Sequence, residues 1–217
     1  IELFTYISKK LFKKKYLFRI DYEKNNIPDD SKTMVIVTTT KSNIRELENL
    51  YYNMENIYLT NTNNLYFTLL IETNTKDKEN IISYNNNICT NLNSKYKKNI
   101  FNYIYTTKSY KLMDLNKLLL NKINKNNQFT TNLPVNINIK YVITLNSNIK
   151  IDNNQINQLI GIMDHPLNKI TLNNNYKVTD GICILQPNIK KENKLQKDNF
   201  FDPEIKIYNL KSYYKVI

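Results

Sequence analysis

Asn146 and Asn148 stand two residues apart, where the apolar run of Val142, Ile143 and Leu145 gives way to polar residues. In an open α/β sheet, the carboxyl end of a strand is where ligands are held. Two aspartates at that spacing would hold a hard divalent cation through charged oxygens. Asparagine offers only a neutral carbonyl oxygen. Two Asp→Asn exchanges remove two negative charges from such a shell, a loss on the order of several kcal/mol of attraction at intermediate dielectric.

The other residues with chemical potential are scattered. His165 is the sole histidine and precedes Pro166, a place for a cap or for packing. Asp164 and Asp180 are lone carboxylates, suited to solvent or a local turn. Ser147 has no base near it in sequence, which leaves nucleophilic catalysis without support. Cys89 and Cys183 are far apart and form no C-x-x-C, so they read as buried small hydrophobes in a reducing compartment. Late in the chain only "FDPEIK" brings carboxylates, Asp202 and Glu204, and a solvated loop suits both. There is no Gly-rich phosphate loop and no P-loop.

Apolar, β-branched runs at 34–38, 65–71, 100–105 and 139–145 predict buried strands. Helical spacing predicts helices over 43–59, 77–96, 110–123 and 152–165. Asn43 followed by Glu46 resembles a capping box, and Asp152 suits a helix cap. A fifth strand is expected over 176–187, crossing Gly181. Strand and helix in alternation make an α/β fold with a mostly parallel sheet and flanking helices. Right-handed crossovers then bring the strand exits to one edge: Thr38–Thr40, Glu72–Thr75, Tyr105–Lys108 and Asn146–Asn148.

Composition tempers the charge. The chain of 217 residues carries 39 Asn, 2 Gly, no Ala and no Trp, with abundant Lys, Ile and Tyr. These are the residues of AT-rich codons, so the net charge of +12 reflects codon bias as much as a partner. Asn clusters read as solvated loops and helix faces. A basic protein binding RNA or a membrane surface is the alternative reading. No apolar run is long enough to span a bilayer, and no signal peptide is visible.

Several segments resemble, in order, the transferase region of the cyclic β-1,2-glucan synthases. They are "LFRIDYEKNNIPDDSKTMVIVTT", "LYYNMENIYLTNTNNLYFTLLIETN", "KSYKLMDLNKLLL", "KYVITLNSNIKIDNNQINQLIGIMDHPLNKI" and "VTDGICILQPNIK". "HPLN" and "ILQP" are the most specific pieces. The resemblance runs from about residue 16 to about residue 190. It implies a GT-A-type nucleotide-sugar transferase fold that uses UDP-glucose to extend a β-1,2-glucan acceptor with a divalent metal, Mn or Mg. It also implies a place on the cytoplasmic face of a bacterial inner membrane, as part of a longer membrane protein.

The resemblance carries residues with it. Thr39 would lie near the uridine. Glu72 replaces an Asp that would hold the base or ribose. Lys111 would lie near the diphosphate, with Tyr110 where the family has a glycine, and Asn116 matches an Asn. Asn146 and Asn148 take the places of the two metal-binding aspartates, so metal-dependent transfer is expected to be impaired. The implied organisation is a basic juxtamembrane-like arm (1–30), a partial glycosyltransferase domain (31–190) and an unassigned tail (191–217). The chain is thus expected to be a partial or degenerate copy from an AT-rich bacterium, or a working variant completed by another chain.

Overall fold

A computed structural model describes residues 17–22, 26–60, 64–107, 112–120, 129–134, 137–151, 153–175, 177–186 and 206–208. Lys111, Asp152, Asp202 and Glu204 lie outside the described residues, as does most of the basic run at 9–19. The chain forms two compact units, residues 25–156 and residues 1–24 with 157–217.

The first unit alternates strand and helix as the hydrophobic pattern requires. β1 (Thr33–Thr39) leads to α1 (Ile44–Leu59), and β2 (Leu65–Glu72) leads to α2 (Lys78–Tyr96). β3 (Phe101–Thr106), α3 (Leu112–Leu119), the short β4 (Thr130–Thr131) and β5 (Tyr141–Asn146) follow. The sheet order is β4-β3-β2-β1-β5. β1 pairs in parallel with both β2 and β5, β2 pairs in parallel with β3, and β4 is antiparallel to β3. A mostly parallel sheet with flanking helices is the expected class and is consistent with a Rossmann-like fold.

Each face of this sheet has its own core. Met34, Ile36, Leu70 and Ile104 pack with Leu115 and Leu118 of α3, and with Phe129 and Leu133. On the other face, Tyr58 of α1 and Tyr96 of α2 lie edge-on or tilted against Phe101. Leu47, Tyr51 and Met54 from α1 and Ile81 and Cys89 from α2 are buried. Asn43 caps α1 by accepting from Arg45 N–H at 2.9 Å. Glu46 faces Lys41 at 3.2 Å instead of returning to Asn43, so the expected box is half formed.

β5 differs from the buried strand expected of it. It is an edge strand among the described residues, with Val142, Thr144 and Asn146 exposed and the alternate residues half-buried. Asparagine also departs from expectation. Asn85, Asn102, Asn157 and Asn168 are buried, not solvated.

In the second unit, the part of α4 (Asn153–Asp164) from residue 157 onward receives the amino-terminal stretch: Ile20 N–H donates to Gly161 O at 3.0 Å, and Tyr22 Oη donates to Asp164 at 2.9 Å. His165 does cap and pack. Its Nδ1 accepts from Leu167 N–H at 3.2 Å, and its ring stacks on Phe18. Asn168 Nδ2 donates to Phe18 O and to Ile162 O, both at 2.8 Å. The fifth strand expected over 176–187 is broken. β6 (Thr171–Leu172) pairs with β7 (Val178–Asp180), while β8 (Ile184–Gln186) pairs with β9 (Lys206–Tyr208). The break falls at Gly181, whose φ of +88° takes the chain out of the extended region.

Candidate functional site

The order of the first unit's sheet picks out a candidate site. The chain moves outward from β1 to β2 to β3, then returns to the far side of β1 as β5. In open α/β sheets, the crevice that holds ligands lies at such a reversal, outside the carboxyl ends of the two strands, here β1 and β5. The exits of β1, β2, β3 and β5 gather along that edge, as the sequence predicts.

Register decides which side chains share a face. Thr38 stands opposite Leu70 and Asn146, and Glu72 stands opposite Thr106. Successive residues of a strand alternate faces. Thr38, Glu72, Thr106 and Asn146 therefore point to the α3 side. Thr39, Ile71 and Tyr105 point to the side of α1 and α2. Thr39 and Glu72 belong to one edge but to opposite faces. Glu72 is two strands from Asn146, on the order of 10 Å across the sheet. Lys111, the third expected nucleotide-sugar contact, is outside the described residues.

Hydrogen bonds tie the exits of β1 and β5 together. Ser147 N–H donates to Thr38 O at 2.9 Å, and Thr38 Oγ1 donates to Leu145 O at 3.2 Å. Asn146 Oδ1 accepts from Asn148 N–H at 3.1 Å, and Ile149 N–H donates to Asn146 O at 2.9 Å. Residues 146–149 thus form a tight turn stapled by the side chain of Asn146. Thr39 Oγ1 accepts from Lys41 N–H at 3.1 Å, which shapes the exit of β1. One strand over, Tyr105 Oη donates to Thr73 O at 2.9 Å, and Thr73 N–H donates to Thr106 O at 3.1 Å. Burial raises the pKa of the Tyr105 phenol, so it stays a neutral donor.

The donor set at residues 146 and 148 does not fit a divalent cation. Both oxygens are neutral, and Asn146 Oδ1 already serves the turn. A hard cation takes charged and carbonyl oxygens in numbers. Among the described residues, no three His, Cys, Asp or Glu side chains gather in one place. Lys41 and Lys150 follow β1 and β5 in sequence.

Sequence reasoning places Thr38 and Tyr105 in strand exits but gives neither side chain a role. Thr38 is one of three consecutive threonines, and only the pairing register selects it. Tyr105 looks like core in sequence, and its hydroxyl role depends on where the loop after β2 returns.

No protein-family model matches this chain. A curated protein, the cyclic beta-(1,2)-glucan synthase NdvB of Rhizobium meliloti (strain 1021), is 25% identical to it over 191 residues. That match covers 76% of this chain and 7% of NdvB, so the chain spans a small part of that relative's length. The likeness supports a distant relationship to such a synthase and no closer one.

Proposed function

We propose that this chain is a nucleotide-sugar-binding domain of the glycosyl-transfer type, with its ligand at the carboxyl edge of the first unit's sheet. The observation that carries this reading is the reversal of strand order at β1 and β5, at the edge where the polar exits gather. The distant likeness to NdvB supplies the sugar chemistry. UDP-glucose is the proposed ligand and a β-1,2-glucan the proposed acceptor. Thr39, Glu72 and Lys111 are the proposed nucleotide-sugar contacts. Transfer is impaired in this reading, because Asn146 and Asn148 cannot supply the charge that a metal-assisted departure of the diphosphate needs. Membrane association and a cytoplasmic-face location would come from a longer protein. Among the described residues, no helix is long and apolar enough to cross a membrane.

Calorimetric titration of the purified chain with UDP-glucose, UDP and a single-stranded RNA oligonucleotide tests the reading. UDP-glucose is expected to bind, and Glu72→Ala to weaken it roughly tenfold. An RNA affinity that exceeds the UDP affinity and falls steeply with salt would replace this reading with the basic binding protein.

A further inference from the structure

We infer that the β1/β5 crevice takes a nucleoside diphosphate without a divalent cation, its phosphates met by Lys41 and Lys150. The inference rests on the nucleotide-sugar reading and adds how the charge of the ligand is balanced. A diphosphate needs positive charge near it, and a protein can supply this as a metal held by carboxylates or as side-chain cations. Among the described residues, the exits of β1 and β5 lack the first device. The exit of β5 carries two asparagines, and one of them is committed to the turn through the 3.1 Å bond from Asn148 N–H.

The second device is present. Lys41 follows β1 by two residues, and Lys150 follows the 146–149 turn directly. Glu46 is the carboxylate paired with Lys41, at 3.2 Å, and both side chains of that pair are substantially exposed. An exposed pair of this kind is weak, so Lys41 can turn to a better anion at small cost. Glu72 lies two strands away and does not offset Lys150 at short range. Among the described residues, the exits of β1 and β5 (38–46 and 146–151) carry Lys41, Arg45 and Lys150 against Glu46. Aspartates at residues 146 and 148 would take two charges from that balance, and a cation would be the way to restore it for a diphosphate.

The test is calorimetric titration of the full chain with UDP-glucose in EDTA and again in millimolar Mn²⁺. The native chain is expected to bind with affinities that agree within about twofold. Lys41→Gln with Lys150→Gln, the first half-buried, the second exposed and both outside the core, is expected to weaken binding roughly tenfold in EDTA. Tightening of the native chain by Mn²⁺ of about tenfold or more would overturn the metal-free site and leave the nucleotide-sugar reading standing. Unchanged affinity in the lysine variant would overturn the assignment of the two lysines. Absence of binding in both buffers would overturn the inference and the nucleotide-sugar reading together.

Discussion

Asparagines behave differently in two regions of this molecule. At the candidate site, Asn146 bonds to a neighbour two residues along, and both Asn146 and Asn148 are exposed. In the scaffold, Asn93 at the end of α2 accepts from Ile100 N–H and Phe101 N–H at 2.9 and 2.8 Å and donates to Phe101 O at 2.9 Å. It thereby fixes where β3 begins. Asn168 ties Phe18 O and Ile162 O together. Codon bias explains why asparagine is abundant, but it does not explain why an amide stands where backbone donors and acceptors need one. Scaffold asparagines carry long-range structure, whereas the site asparagines carry a local turn that other residues can replace.

The two glycines sharpen the contrast most. A Cβ at Gly161 would run into the backbone oxygen of Ile20, and one at Gly181 into that of Lys169. Gly181 also needs its positive φ. Neither obstacle is a flexible side chain. Gly161→Ala and Gly181→Ala are each expected to cost about 3 kcal/mol or more, read as a shift of the urea midpoint. A loss below about 1 kcal/mol in either variant would mean that the second unit is held loosely enough to yield, and the scaffold side of the contrast would weaken.

Asn93→Ala comes next, at about 2–3 kcal/mol, because it removes three hydrogen bonds to the backbone at once, with Ile100 N–H keeping only Lys98 O at 3.1 Å. Asn93→Asp discriminates further. It keeps the acceptor for Ile100 and Phe101 but loses the donor to Phe101 O, so it should cost less than alanine. Equal losses would show that the amide acts only as a spacer.

A buried polar cluster gives a pH test of similar kind. The Cys89 thiol donates to Tyr51 Oη at 3.4 Å, and Tyr51 Oη donates to Asn85 Oδ1 at 2.8 Å. Burial pushes the Cys89 thiol from 9.0 up to about 11, against opposing hydrogen bonds to Tyr51 and Asn132. Burial also pushes the Tyr51 phenol well up. The folded state thus holds these protons more tightly than the unfolded chain. Their contribution is fully present below about pH 9 and is lost as pH rises through about 11. The fall attributable to Cys89 is about 2 kcal/mol in order of magnitude. Urea midpoints followed from pH 7 to 11 should fall, and Cys89→Ala should flatten that fall. A fall that is identical in the variant would assign it to the tyrosines.

Much of the first unit is legible in the sequence, because strong β-branched runs and amphipathic helices carry their own period. Strand limits at 33–39, 65–72, 101–106 and 141–146 lie within a residue or two of the hydrophobic runs. The second unit is less legible for a physical reason. Its order comes from single atoms meeting across the chain, such as Asn168 on Phe18, and periodicity does not encode such contacts. Gly181 reads as a residue within a strand because flanking apolar residues dominate the pattern, while its φ breaks the strand. At the site, the edge could be foreseen from strand order. The faces could not, because a shift of one residue in register exchanges Thr38 for Thr39.

The smallest expected effect is at the site itself. Asn146→Ala removes one exposed bond within a turn, and the backbone bonds of Ser147 to Thr38 O and of Ile149 to Asn146 O remain. The loss should stay below about 0.5 kcal/mol, and Asn148→Ala should cost no more. Asn146→Asp should be neutral for the fold, since a carboxylate oxygen accepts from Asn148 N–H as the amide does. Aspartate at these positions would therefore be tolerated by the backbone, and the fold alone does not select asparagine. Urea midpoints of the three variants check this. A cost near that of Asn93→Ala would move residues 146–148 into the scaffold class, and the asparagines would then be structural in origin. Near-neutral values would leave ligand chemistry or codon bias as what sets these two residues, and the EDTA and Mn²⁺ titrations separate those two.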